Sequence, residues 1–267
     1  MIPLNFYLYW SNTPMSYLRY LTFKSLRHFH PNSEITLYIS TKSSYGDYKW
    51  VREKLEFENT KLFKDDYTGD LKKIGVNIIH EELFPNFAPN YQSDLFRWWV
   101  LKERGGFYLD TDQIITKSWE KLPLDKDFIY CSYVHPMHGL YCPVGVLGSC
   151  KNGEAVTKVQ NNIMKFYNAN DYNSIGPNMF IKMTPQLNMK KSFNAPMHYF
   201  YPTGLSDLCW KIFSGTQKIV DSNYAVHWFG GHPNSQKFNA QYTEDFAKTS
   251  NDSISSFLRN HNVISID

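Results

Sequence analysis

"SDLFRWWVLKERGGFYLDTDQI", Ser93 to Ile114, is the stretch on which the reading of this chain turns. Apolar residues at helical spacing predict a helix over 91–103, with Gly105 as its natural stop. "GFYLD" then reads as a short apolar strand ending at Asp110, and Asp112 stands two residues further on. Residues i and i+2 of an extended chain point to the same side. Asp110 and Asp112 therefore face one ligand if the backbone stays extended through Thr111. Two carboxylates at the mouth of a buried strand repel each other, so something positive belongs between them. With no histidine or cysteine beside them, a hard divalent cation, Mg²⁺ or Mn²⁺, suits the pair. Such an ion keeps coordination positions open for phosphate oxygens.

The spacing alone is weak evidence, because about one such pair arises by chance in a chain this long. The sequence holds its own control in "PLDKDF", where Asp125 and Asp127 repeat the spacing. That copy sits beside Pro123 and Lys126 and precedes a strand, so it reads as a solvated turn. What distinguishes Asp110 and Asp112 is the helix, the Gly-Gly pair and the apolar strand that lead into them.

Working outward, "LNFYLYW" (Leu4 to Trp10) suits a buried strand, and Leu18, Leu21, Leu26 and Phe29 recur near helical spacing. "EITLYIS" (Glu34 to Ser40) is a second strand. This strand–helix–strand opening predicts a parallel sheet with a ligand crevice at the strand C-termini. Residues 41–75 are polar and lysine-rich and predict partial helix, and "VNIIH" (Val76 to His80) is a third strand. Further on come a strand in "FIYCSYV", a helix in "GEAVTKVQNNIMKFY" and a short helix opened by the Gly-Pro of "GPNMFIKM". A strand in "YAVHWF", a loop in "GGHPNSQKF" and an amphipathic helix in "SISSFLRN" complete the pattern. No repeat or low-complexity linker interrupts it, so one domain over 1–267 is the simplest organisation.

Composition narrows the classes. A chain of 267 residues with 42% hydrophobic and 20% charged residues can bury a substantial core. The formal charge is +3 with no basic block, which argues against nucleic acid as a partner. Aromatics reach 17%, and both core filling and stacking on sugars or a base remain open for them. Cys131, Cys142, Cys150 and Cys209 lack zinc-finger spacing and read as reduced thiols of a cytoplasmic protein. "MIPLNFYLYW" is a first strand and not a signal peptide. No apolar run is long enough for a transmembrane helix, so any membrane contact is expected to be peripheral.

The segment from Ser93 to Asp112 closely resembles the signature of the DXD-containing sugar-transferase family. Yeast initiating mannosyltransferases and the glucosylating domains of large clostridial toxins belong to that family. The shared pattern is Ser-Asp-x-x-Arg, a helix, then Gly-Gly-x-Tyr-x-Asp-x-Asp. Three shorter echoes follow in the family's order. "FYLYW" resembles the first strand, whose final Trp packs on the nucleotide base; "SIGPNMF" resembles a Gly-Pro segment beyond the DXD; and "YAVHWFGG" resembles a late strand that completes the metal site.

The resemblance implies a GT-A fold, a Rossmann-like α/β architecture with a mixed, mostly parallel sheet. It implies a donor-binding part over about 1–115, with the acceptor and metal-completing part over about 116–267. The implied activity is metal-dependent transfer of a sugar from a UDP- or GDP-sugar to a glycan or glycoprotein acceptor, with retained configuration. Asp112 would bind Mn²⁺ or Mg²⁺ directly, and Asp110 would contact the sugar or ribose and the metal through water. Ser93, Asp94 and Arg97 would hold the donor sugar, with Tyr108 packed against it, and Trp10 would stack on the base. His227 would be a third metal ligand; by residue type, and not by the resemblance, Lys237 or His232 could neutralise the diphosphate. On residue type alone, Asp94 and Arg97 equally fit a surface ion pair. Trp10 and Tyr108 equally fit core packing, His227 a structural role and Lys237 a solvated lysine.

After "AVHW" many relatives read Gly-Ser-Trp, where this chain has "FGGHPNSQKF". Before the Gly-Pro they often carry an Asn in an apolar strand, where this chain has "YCPVGVLGS", so the acceptor is unassigned. Two other classes compete. "FYLDTDQI" resembles the haloacid-dehalogenase phosphatase strand, although that fold starts near its DxD and leaves the Ser-Asp-x-x-Arg helix unexplained. A non-catalytic carbohydrate-binding protein would use the aromatics and leave the DxD idle.

Overall fold

The computed structural model describes residues 1–41, 54, 58–60, 63, 65–135, 139–204 and 206–265. Strand β1 (Phe6–Trp10) lies at its centre, with every residue buried. Alternation along it serves two helices. Phe6, Leu8 and Trp10 pack with Phe23 and Leu26 of α1 (Tyr17–Phe29), and Tyr7 and Tyr9 pack with Leu95, Phe96 and Trp98 of α2 (Pro89–Arg104). A strand buried on both faces reads as a continuous apolar run, which is what "FYLYW" is. Each large side chain buried this way contributes about 1.5–3 kcal/mol.

On one side of β1 lie β2 (Ile35–Ser40) and β3 (Asn77–Glu81), and on the other β4 (Gly106–Leu109), all parallel to it. The crossover through α1 thus moves one way from β1 and the crossover through α2 the other. The direction reverses between the C-terminal ends of β1 and β4, the place where open α/β sheets bind ligands. Gly105 and Gly106 make the junction from α2 into β4. Both have positive φ, +72 and +93, and a Cβ there would lie 2.6 Å from Lys151 N and 2.5 Å from Asn5 O. Only glycine meets both demands.

Beyond β4 the chain forms β5 (Gln113–Ile115), β6 (Phe128–Cys131), the hairpin β7 (Tyr133–His135) with β8 (Gly139–Tyr141), and β9 (Val146–Ser149). Helices α3 (Glu154–Asn162) and α4 (Pro177–Met183), then β10 (Ser192–Ala195), follow. The central sheet has the order β10-β6-β9-β4-β1-β2-β3, with β9 antiparallel to both neighbours. After helix α5 (Trp210–Phe213), strand β11 (Ala225–His227) pairs antiparallel with β5 and places His227 opposite Gln113. Helices α6 (Pro233–Gln241), α7 (Glu244–Thr249) and α8 (Ser253–Asn260) close the chain. Leu18 and Leu21 on the outer face of α1 pack with Ile114, Val226 and Trp228, and with Ile254 and Leu258 of α8.

Several sequence expectations shift here. "FIYCSYV" is two strands, because the Ser132 N–H donates to the Asn194 side chain at 2.8 Å instead of extending the ladder. "GGHPNSQKF" is helical from Pro233. Proline presets φ for a first helical position, and His232 Nδ1 accepts the Asn234 N–H at 3.3 Å as an N-cap. The helix expected over 153–167 ends at Asn162 and passes into a 3₁₀ turn, Ile163–Lys165. Most of the partial helix expected within 41–75 lies outside the described residues, and Gly69–Ile74 is a 3₁₀ turn. Asp125 is exposed in a turn, as the control reading expected.

Candidate active site

The stretch from Asp110 to Asp112 is a turn between β4 and β5, not the extended chain that the i, i+2 spacing suggested. Helix α1 grips it. Arg19 Nη1 donates to Thr111 Oγ1 at 2.7 Å, Thr22 Oγ1 donates to the Thr111 carbonyl at 2.8 Å, and Ser25 Oγ accepts the Ile115 N–H at 3.0 Å. Arg19, Thr22 and Ser25 are three apart, so they share one helix face, and all three are buried. The carboxylates converge because these side chains fold the backbone between them.

Strand β11 brings His227 to the same point. The Phe229 N–H donates to His227 Nδ1 at 3.1 Å, which turns Nε2 toward the carboxylates. Nε2 stands 3.2 Å from Asp112 Oδ1 and 4.0 Å from Asp110 Oδ2. Asp112 Oδ2 accepts the Gly230 N–H at 2.6 Å, and its carbonyl accepts the Trp228 N–H at 3.0 Å. Burial by itself would push the Asp112 carboxyl up. His227, Arg19 and the Gly230 N–H outweigh that and hold it well below the usual carboxylate range.

Whether a metal ion fits can be tested on these residues. One donor atom each from Asp110, Asp112 and His227 lies within 4.8 Å of the others. Asp112 Oδ1 is buried with no hydrogen-bond partner beyond the nearby His227 Nε2. A buried carboxylate oxygen left this way is costly unless something else coordinates it. Gly145 keeps the space open: a Cβ there would lie 2.5 Å from Asp110 Oδ2 and 3.3 Å from His227 Nε2. Two carboxylates and an imidazole fit a divalent cation as a donor set.

On the opposite wall, α2 supplies a closed network. Arg97 Nη2 lies 3.1 Å from Asp94 Oδ1 and donates to Ser93 Oγ at 3.0 Å. Its Nη1 donates to the Val144 carbonyl at 2.7 Å and lies 3.5 Å from Asp110 Oδ1. The guanidinium also sits 4.5 Å from the centre of the Tyr108 ring. Tyr108 donates to Asp110 Oδ1 at 2.6 Å, and Ser93 Oγ lies 3.0 Å from the Tyr108 hydroxyl. Asp94 and Arg97 thus form a buried pair and not the surface ion pair that residue type alone allowed. Burial pushes the Asp94 carboxyl up to about 7, with Arg97 opposing the shift and Asp110 adding to it. Gly176 of the Gly-Pro segment backs this carboxyl, since a Cβ there would come 2.8 Å from Asp94 Oδ2.

A cavity of about 310 Å³ joins the two walls. Trp10, Ser93, Asp94, Arg97, Tyr108, Asp110, Asp112 and His227 all border it. Lys237 does not: it is exposed on α6. His232 also lies off the cavity, capping α6 with Nδ1 3.6 Å from Cys209 Sγ. Sequence reading missed Arg19, Gly145 and Tyr201 on the cavity wall. Arg19 gave no signal, because a polar residue within α1 reads as part of a solvated helix face. Gly145 and Tyr201 had none, because only the folded chain brings them to Asp110 and His227.

Residues 19–129 match the sequence model of a family described as glycosyltransferase sugar-binding region containing DXD motif. No curated protein matches the sequence. Among solved structures, a glycosyltransferase called PaToxG is similar at 17% identity and TM-score 0.48, over 90% of this chain and 87% of that one. The glycosyltransferase GlyE of Streptococcus pneumoniae TIGR4 is similar at 13% identity and TM-score 0.50, over 96% of this chain and 63% of that one. The bifunctional glycosyltransferase WbbM is similar at 10% identity and TM-score 0.48, over 97% of this chain and 50% of that one. Residues 19–129 thus match a DXD-containing sugar-binding region of glycosyltransferases, within a chain of GT-A fold.

Proposed function

We propose that this chain moves a sugar from a UDP- or GDP-sugar to a hydroxyl of a glycan acceptor, with Mn²⁺ or Mg²⁺ at Asp110, Asp112 and His227. The observation that carries this is the single cavity that joins the Asp110–Asp112–His227 cluster to the Asp94–Arg97 pair at the sheet's switch point. When bound, the metal supplies Lewis-acid stabilisation of the negative charge on the departing diphosphate. The rest is positioning by the protein. Asp94 and Arg97 hold donor sugar hydroxyls, and their network with Ser93 and Tyr108 fixes them before substrate arrives. Trp10 offers a ring to the base at the end of β1.

Retention of configuration is supported by what the acceptor would meet. Among the described residues, the carboxylates on the cavity are Asp94, Asp110 and Asp112, and each is engaged by Arg97, Tyr108, His227 or Gly230. None is placed as a dedicated base. Tyr141, Tyr172 and Asn173 also line the cavity, uncharged groups that suit a neutral polyhydroxyl acceptor such as a surface glycan or a glycoprotein glycan. The donor-binding part is residues 1–115 or so, and the remainder completes the metal site and meets the acceptor. Four free thiols fit a cytoplasmic setting, and among the described residues no helix is long and apolar enough to cross a membrane.

The test is nucleotide release from a panel of UDP- and GDP-sugars with Mn²⁺, with Mg²⁺ and with EDTA. Release from one donor that EDTA abolishes is expected. Silence across the panel, with no thermal shift from any nucleotide plus metal, would overturn the reading.

A further inference from the structure

The cavity holds a cation that the donor reading has not used. Arg19 is 5% exposed, deep in the wall between Trp10 and the Asp110–Asp112 turn. Its guanidinium carbon lies 4.7 Å from the centre of the Trp10 ring and 5.2 Å from that of Trp228. Nη1 donates to Thr111 Oγ1, the side chain between the two aspartates. Gly230 leaves room for the other end of the fork, since a Cβ there would come 2.7 Å from Arg19 Nη2. The same glycine donates its N–H to Asp112 Oδ2. Arg19 is therefore anchored at once to the ring that would carry the base and to the turn that would carry the metal.

A nucleoside diphosphate spans those two points. Its base stacks at one end, its phosphates reach the metal at the other, and the intervening negative charge needs a partner inside a buried wall. Among the described residues, Arg19 and Arg97 are the cationic side chains on the cavity. Arg97 is committed to Asp94, Asp110 and the Val144 carbonyl on the opposite wall.

We infer that Arg19 is the protein cation of the diphosphate site, binding the phosphates between base and metal and making the site selective for nucleoside diphosphates over uncharged nucleosides. This rests on the donor-site reading above. The assignment gives to helix α1 the role that residue type had offered to Lys237 or His232, neither of which lines the cavity. Arginine suits the position better than lysine, because its planar, delocalised charge bonds Thr111, lies over both indoles and still attracts phosphate.

The experiment titrates wild-type, R19M and R19K protein with UDP, GDP, uridine and guanosine in the presence of Mn²⁺, reading tryptophan fluorescence and calorimetry. For the base that binds, R19M should weaken the diphosphate about tenfold to a hundredfold. The matching nucleoside should change less than about threefold on the same charge argument. R19K, which keeps the charge and loses the fork, should fall between, and it carries the test should R19M fail to fold. Diphosphate binding unchanged in both variants would overturn the assignment. Equal weakening of nucleoside and diphosphate would overturn it as well, because Arg19 would then act only by holding the Trp10 ring. Wild-type protein that binds neither diphosphate would instead overturn the donor-site reading, and this assignment with it.

Discussion

At the scale of single residues, the site is governed by what burial does to charge. Asp94 has its carboxyl pushed up to about 7 by burial against the pull of Arg97. Below that pH it carries a proton, and above it the carboxylate is a stronger acceptor for a sugar hydroxyl. The donor KM should therefore fall as pH rises through about 7, and Asp94→Asn should flatten that dependence; an unchanged pH profile in the variant would contradict the assignment. The stability sign is opposite. A carboxyl that titrates higher folded than unfolded binds its proton more tightly in the folded state. Wild-type stability relative to Asp94→Asn should thus decline between pH 3.8 and about 7, checked by urea titration across that range. Gly145 makes a second residue-scale case. Gly145→Ala would push a methyl group onto Asp110 Oδ2, 2.5 Å from the ideal Cβ. Mn²⁺ affinity should drop at least about tenfold, a large effect for one methyl group in a close-packed wall, and calorimetric titration of the metal measures it.

Among the elements, α1 does more than cover the sheet. Its buried polar stripe of Arg19, Thr22 and Ser25 holds the turn on which Asp110 and Asp112 stand. Replacing Thr22 with Val keeps the shape and removes the hydroxyl that bonds the Thr111 carbonyl. That bond is worth about 1 kcal/mol of stability. Metal affinity should fall further than this loss alone implies, because the turn would relax; melting curves and Mn²⁺ titration of the same variant separate the two effects. The stripe was invisible in the sequence because helical periodicity weighs apolar positions, and three polar residues at that spacing look like a solvated face. Helix α2, by contrast, was legible: its apolar pattern, Gly105 and the Ser93–Arg97 spacing all point one way. β5, β9 and β10 escaped notice because three or four residues carry too little alternation to register.

For the whole molecule, the site draws on segments far apart in the chain: Trp10 from β1, Arg19 from α1, Asp94 and Arg97 from α2, and His227 from β11. Ligand binding should therefore stabilise the fold as a unit. With nucleoside diphosphate and Mn²⁺ at about 100 times Kd, the gain is about 2.7 kcal/mol. For a chain of this size that is a rise in Tm of roughly 5–10 °C. Asp112→Ala should abolish the shift with metal and nucleotide present and leave the unliganded fold intact, which scanning calorimetry tests. A full shift in that variant would exclude Asp112 as a metal ligand.

Local chemistry in the chain itself determined a great deal. A two-sided apolar strand, the strand–helix–strand opening, the glycine pair and the DxD at a strand end lie within short windows, and each obeys a steric or periodic rule that operates over a few residues. Tertiary structure alone decided that the carboxylates meet through a turn, that Arg19 and not Lys237 stands at the cavity, that Asp94 and Arg97 are buried, and that Gly145 is the gap beside Asp110. Those outcomes depend on contacts between residues up to 223 positions apart, such as His227 with Asp110 and Ser16 with Asn239. No local pattern encodes them, because burial and distance are properties of the packed chain.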